Sequence, residues 1–246
     1  MKPLTLFTLT LILISAVLTS CQTNKVSSKG HLFILSGQSN MLGLDPELSF
    51  APMLRKHFGV NNVTIAKYAK GGQPIRRWDK GWKPTEGQNI AEIGDLYNVL
   101  MQKVKKVSKG KQFDSITFVW MQGERDAREG LGDLYKDSFY RVLNQISLDT
   151  NSNDINFVIG RLSDFDMKNV RYPDWTKVRQ IQTAIADASD RGAWVNTDKF
   201  NDGMTKSGKL YVNDLHYTEQ GYVDFGAFLA QQSIKLIEKH TRSQWF

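Results

Sequence analysis

The sequence predicts an α/β protein, a three-layer α/β/α sandwich with a five-stranded parallel sheet. Three observations predict it. Five short, continuous apolar runs recur along the chain, each too short for a helix of its own. Between them lie longer stretches whose apolar residues return at helical spacing. Polar, glycine-marked segments follow most of the apolar runs. Continuous apolar strands separated by helices are what a sheet buried on both faces requires, because parallel neighbours need helical crossovers.

The strand expectations are Leu32–Leu35, Val63–Tyr68, Ile116–Met121, Phe157–Leu162 and Ala193–Thr197. The helix expectations are Pro46–Phe58, Ile90–Val107, Leu131–Ile146, Trp175–Ser189 and Thr218–Lys239. In the last of these, Tyr222, Phe225, Phe228, Leu229, Ile234 and Leu236 recur at near-helical spacing. There is no internal repeat and no low-complexity tract.

The composition is that of one globular domain: 41% hydrophobic, 23% charged, with Gly 19 and Pro 6 in 246 residues. The first twenty residues stand apart. Lys2 precedes an apolar run, Leu4 to Leu18, that is short for a bilayer span and ends in Leu18-Thr19-Ser20-Cys21. That ending resembles a bacterial lipobox, whose cysteine is lipidated. The expected organisation is therefore a lipoprotein signal peptide over 1–20, a lipidated Cys21 with a polar tether over 21–30, and the catalytic domain over 31–246. The chain is expected to be an exported bacterial lipoprotein held at a membrane through Cys21. Cys21 is the only cysteine, so no disulfide framework is available. The formal charge of +7 is spread out except for Lys103 to Lys111, which reads as the solvated end of an amphipathic helix; no nucleic-acid partner is expected.

In a parallel sheet, ligands bind beyond the carboxyl ends of the strands. The residues there are Gly37-Gln38-Ser39-Asn40, Gly71-Gly72-Gln73, Gln122-Gly123-Glu124-Arg125-Asp126 and Asn213-Asp214-Leu215-His216. A serine at a strand-to-helix turn suits a nucleophile whose substrate develops an oxyanion. Of the four histidines, His31 starts a strand, His57 ends a helix and His240 lies near the C-terminus, which leaves His216 as the base, with Asp214 nearby. Oxyanion donors would be the backbone N–H groups of Ser39 and of Gly71 or Gly72, and the Gln122 side-chain amide. Glu124 and Asp126 sit beside Arg125 and Arg128, a pattern that favours loop-bracing salt bridges over a paired-carboxylate glycosidase site. No metal-ligand or phosphate-loop pattern occurs, and no cofactor is expected.

The blocks Gly37-Gln38-Ser39-Asn40-Met41, Gly71-Gly72-x-x-Ile75-x-x-Trp78, Trp120-x-Gln122-Gly123-Glu124-x-Asp126, Val178-Arg179-x-x-Gln182 and Asp214-Leu215-His216 appear in order. Together they resemble the SGNH hydrolase superfamily, and more narrowly its sialate O-acetylesterase-like group, which includes carbohydrate esterase family 6. The resemblance implies a flavodoxin-like fold and hydrolysis of acetyl esters on carbohydrates. It places Ser39 as nucleophile, Gly72 or Gly71 and Gln122 as oxyanion donors, and His216 as base. The superfamily aspartate stands three residues before the histidine, where this chain has Asn213. The ring-orienting role is thus open between Asp214, Asn213 and a backbone carbonyl.

Trp78, Trp82 and Tyr217 flank these blocks as candidates for stacking on a sugar ring, and Glu124 is a candidate polar contact to substrate. The expected function is a serine esterase that removes O-acetyl groups from an acetylated carbohydrate through an acyl-enzyme. The alternatives are a general short-chain carboxylesterase and a carbohydrate-binding lipoprotein that no longer turns over.

Overall fold

The structure is a computed structural model that describes residues 30–83 and 92–242. The expected signal peptide, Cys21 and tether, and the predicted helix start at Ile90, lie outside the described residues.

Five apolar runs form strands β1 (Gly30–Gly37), β2 (Val63–Ala69), β3 (Phe113–Met121), β4 (Ile155–Gly160) and β5 (Gly192–Val195). They make one parallel sheet in the order β2-β1-β3-β4-β5. Phe33 stands level with Ile65 on one side and Thr117 on the other, and Val119 with Val158. Phe33, Ile34, Leu35, Phe118, Val119 and Trp120 are fully buried because both faces of the sheet are covered.

The larger helices are α2 (Phe50–Phe58), α3 (Asp95–Ser108), α5 (Gly132–Thr150), α6 (Trp175–Asp187) and α7 (Glu219–Arg242), with short helices α1 (Ser39–Gly43) and α4 (Glu124–Glu129) between them. Helix α2 packs with α7, and α5 with α6, the grouping that right-handed crossovers between these parallel strands require. The last helix, α7, returns against α2 and packs across β4 and β5. The predicted three-layer sandwich with a five-stranded parallel sheet is the architecture observed.

Local differences have physical causes. The single helix expected over Pro46–Phe58 is divided into a 3-10 turn, Pro46–Leu48, and α2. The break at Ser49 falls where α7 passes: a Cβ built on Gly226 would lie 2.3 Å from Ser49 Oγ. Two short helices, α1 and α4, and a hairpin of β6 (Gly203–Met204) with β7 (Leu210–Tyr211) are additional to the sequence reading. None is long enough to leave a hydrophobic period.

Gly37 marks the point where β1 leaves the sheet. Its φ is +144°, and a Cβ there would fall 1.8 Å from the Met121 carbonyl oxygen. The chain on either side is held by the Gln38 N–H on the Met121 carbonyl at 2.9 Å and the Lys70 N–H on the Gly37 carbonyl at 3.1 Å. Three strand ends are thereby tied at the origin of the first loop. Gly37→Ala combines a disfavoured backbone conformation with a direct clash. It is expected to lower the unfolding free energy by about 3 kcal/mol or more in urea titration, or to prevent soluble expression.

Candidate active site

The loops that follow the five strands gather at one edge of the sheet. Ser39 opens α1, half-buried between the buried residues Gln38 and Asn40. Gly71 packs against it: a Cβ built on Gly71 would lie 3.7 Å from the Ser39 Cβ. A Cβ on Gly72, which has φ +69°, would meet nothing within 4 Å, so this residue faces open space. Among the described residues, the N–H groups of Ser39, Gly71 and Gly72 engage no acceptor. The structure therefore brings Ser39 and the glycine pair together, with backbone donors left over.

Asn40 connects this turn to the loop that carries His216. Its Nδ2 donates to Glu124 Oε1 and to the Leu215 carbonyl, both at 3.0 Å, and its Oδ1 accepts from the Tyr222 hydroxyl at 3.1 Å. The immediate neighbours of Ser39 and His216 are thus hydrogen-bonded across 175 residues of sequence. Neither the Ser39 hydroxyl nor the His216 ring forms a hydrogen bond with any described residue. Asp214 accepts the His216 backbone N–H on Oδ1 at 3.0 Å. That bond fixes the turn and does not hold the imidazole, so Asp214 is not seen in its expected orienting role.

Asn213, with φ +46°, points elsewhere. With its amide nitrogen turned toward Asp164, it reaches both carboxylate oxygens at 3.2 Å. Asp164 follows β4 on the same edge and also accepts from Asn201 Nδ2 at 3.3 Å. Burial raises its pKa, and neighbouring Asp198 and Asp202 add to this, while the Asn201 bond opposes it. Asn201 in turn holds the Asp214 carbonyl at 3.0 Å.

Gln122 is fully buried, and its Nε2 faces three acceptors: Gln38 Oε1 at 3.4 Å, the Gln73 carbonyl at 3.1 Å and Asp126 Oδ2. Both amide hydrogens are therefore committed inside the protein. In this arrangement Gln122 joins the β1, β2 and β3 loops and does not offer the oxyanion donor expected of it.

Four further expectations are corrected by burial. Trp78 is fully enclosed, edge-on to Trp120 at 5.3 Å, with its Nε1 on Ser36 Oγ at 2.9 Å, so no ring face is free for a sugar. Trp82 is also buried, beneath the Arg76 guanidinium. Tyr217 packs among Phe200, Tyr222 and Phe225. Glu124 is enclosed and holds Asn40, so it has no surface for substrate. The expected salt bridges of Glu124 and Asp126 are not formed either. Arg125 and Arg76 pair with Glu129, at 2.6 and 2.8 Å, while Asp126 accepts the Ile75 N–H at 2.9 Å.

Two buried carboxyl groups without a cationic partner carry a titration signature. Burial pushes Glu124 up to about 7 against the Asn40 hydrogen bond that favours its charged form, and the charge of Asp126 adds to the rise. Burial also pushes Asp126 up to about 7, with the Gln122 and Ile75 donors pulling the other way.

Sequence reasoning left three members of the site unassigned. Asn40 stands inside the Gly37–Met41 segment, where nothing in the pattern shows what its amide holds. Gln182 was likewise only part of a block; it donates to the Gln122 carbonyl at 2.7 Å and accepts the Leu162 N–H at 2.8 Å, joining the β3 and β4 loops. For Asp164 the available signal was its place just past a predicted strand. Among the described residues, no group of three or more His, Cys, Asp or Glu side chains is arranged to hold a metal ion.

The doubly covered parallel sheet thus carries Ser39 and the glycine pair at the ends of β1 and β2, with His216 on the last loop. The chain belongs to the family described as carbohydrate esterase, sialic acid-specific acetylesterase, whose model matches residues 42–235. It is accordingly a carboxylic ester hydrolase. Solved structures share the fold. A protein from Arabidopsis thaliana aligns with a TM-score of 0.63 at 18% identity over 85% of this chain and 99% of that one. A carbohydrate acetylesterase from Xanthomonas citri gives 0.57 at 17% identity, over 81% and 54%. A member of the lipolytic G-D-S-L family from Veillonella parvula gives 0.51 at 14% identity, over 82% and 97%. No curated protein matches the sequence.

The raised carboxyl pKa values have a defined sign in stability. Between the ordinary values of 4.5 and 3.8 and the folded value of about 7, the native state binds more protons than the unfolded chain. The contribution is therefore fully present at low pH and is lost as pH rises through about 7. Urea titrations are expected to show stability from this source falling between about pH 5 and about pH 8, with a shallower fall in Glu124→Gln.

Proposed function

We propose that the protein removes acetyl groups from carbohydrate hydroxyls through an acyl-enzyme on Ser39. The observation that carries the reading is the Ser39 environment: Gly71 seated on its Cβ, unengaged backbone N–H groups on Ser39, Gly71 and Gly72, and Asn40 bonded to the residue before His216. His216 takes the Ser39 Oγ proton as Oγ bonds to the acetyl carbon. The N–H groups of Ser39 and Gly71 or Gly72 hold the oxyanion. When the carbon–oxygen bond to the sugar breaks, His216 returns the proton to the leaving oxygen. Water then attacks the acetyl-serine carbonyl carbon and gives a proton to His216; the bond from that carbon to Ser39 Oγ breaks, His216 returns the proton to Oγ, and acetic acid leaves and ionises to acetate. Substrate must draw Ser39 and His216 into hydrogen-bond range, since such contacts tighten in the bound complex.

The same reading places the enzyme outside the cell, exported and attached to a membrane by lipid on Cys21, as the lipobox-like segment indicates. A second reading, broad short-chain esterase activity, is favoured by exposed Leu42, whose Cδ2 lies 4.0 Å from a Cβ built on Gly71, beside the nucleophile. Comparing acetyl with octanoyl nitrophenyl esters separates the two, because Leu42 would accept a longer acyl chain.

Acetate release from a panel of acetylated glycans tests the proposal. Ser39→Ala is expected to lower release by about 10³-fold or more with an unchanged melting temperature. Release that persists in this variant, or no release from any glycan and from nitrophenyl acetate, overturns it. Gln122→Ala is expected to lower the melting temperature by about 4 °C or more, and kcat with it, because it removes a brace between loops. A fall in kcat at an unchanged melting temperature would instead show that Gln122 turns from Asp126 to the oxyanion.

A further inference from the structure

The edge of the sheet opposite Ser39 has its own surface chemistry. The described chain enters there at Gly30, whose N–H donates to the Gln112 carbonyl at 3.1 Å. The strand β1 has eight residues, so its rise of ~3.3 Å per residue places the entry edge about 26 Å from the Ser39 edge.

A groove of about 800 Å³ lies at the entry edge, between the ends of α3 and α5 and the starts of β1 and β3. Leu32, Met101, Val104, Phe113 and Ile116 give it an apolar lining. Lys105, Lys109 and Lys111, all exposed, stand at its margin, with exposed Lys106 nearby. The helix macrodipole accounts for Lys105 and Lys106 in the last turn of α3. It does not account for Lys109 and Lys111, which lie past the helix end. Of the nearby acids, Asp149 lines the groove but accepts the Tyr97 hydroxyl at 2.7 Å, and Asp114 is exposed. Apolar lining beneath a row of ammonium groups matches a lipid with an anionic headgroup.

The position of the tether agrees. Residues 22–29 separate Cys21 from Gly30, a reach of at most about 30 Å, and the chain enters beside Phe113 of the groove lining. We propose that the entry edge docks on an anionic phospholipid bilayer, the lysines meeting lipid phosphates and the groove taking an acyl chain. The Ser39 edge then faces away from the membrane, open to polymeric substrate. The orientation rests on the proposed lipidation of Cys21; the lipid-binding surface rests on Lys105, Lys109, Lys111 and the groove.

Hydrogen–deuterium exchange on the full-length protein tests the surface, using vesicles of phosphatidylcholine alone and vesicles with about one third phosphatidylglycerol. The segment 105–113 is expected to exchange about fivefold or more slowly on the anionic vesicles only. The slowing should vanish in high salt and in the variant K105E/K109E/K111E, with hydrolysis of nitrophenyl acetate unchanged. Equal exchange on both vesicles, or slowing that survives the triple variant, overturns the proposal. Intact mass decides the lipidation of Cys21 separately. If Cys21 is unmodified, the orientation argument falls, and flotation of the same protein with the two vesicle types still judges the lysine surface. Loss of esterase activity in Ser39→Ala is independent of both results.

Discussion

The buried Asn40 amide is the interaction on which the site depends. It lies next to Ser39, yet its three bonds go to Glu124 after β3, to the Leu215 carbonyl before His216, and to Tyr222 on α7. An amide in this environment has no water to fall back on, so losing any partner leaves a donor or acceptor unsatisfied. That penalty fixes the mutual position of loops that are distant in sequence. Ser39 and His216 form no hydrogen bond with each other, yet their neighbours do.

A second layer of buried polar groups sets the floor beneath that contact. Gln122 joins the β1, β2 and β3 loops, and Gln182 extends the connection to the β4 loop. Glu124 and Asp126 belong to this layer as hydrogen-bonded, raised-pKa carboxyls and not as members of ion pairs. The arginines around them serve the rim instead, Arg76 and Arg125 on Glu129, and Arg179 on Asp198 and the Leu162 carbonyl. Arginine–carboxylate pairs stand at the edge of the site, and carboxyls held by hydrogen bonds alone at its centre. This distribution suits a reaction in which negative charge must appear on a substrate oxygen near backbone N–H groups.

The two edges of the sheet differ in surface chemistry through the same topology. Parallel strands direct every following loop to one end, which gathers polar turns there, and leave helix C-termini at the other. The lysine-margined groove belongs to that second end, beside the point where the chain enters the domain. Attachment and chemistry can therefore occupy opposite edges without sharing residues.

The five strands and the five long helices were legible in the sequence because each buries a continuous run or a periodic face, and burial leaves a pattern that needs no tertiary information. The position of Ser39, the Gly71-Gly72 pair and His216 past strand ends at one edge was legible as well, since a parallel sheet directs its loops there. The roles of Trp78, Tyr217, Gln122 and Glu124 were not. An aromatic or polar side chain beside a site has the same letter whether it faces substrate or packs beneath it. Only the folded arrangement decides this, through which neighbours enclose it: Trp120 and Ser36 for Trp78, Asp126 and Gln73 for Gln122. Apolar runs and the rule for parallel sheets were enough to read the sheet and the edge where its polar loops collect. The tertiary structure alone decided which polar groups remain open to a ligand, because long-range hydrogen bonds such as Asn40 to Leu215 leave no local periodicity to read.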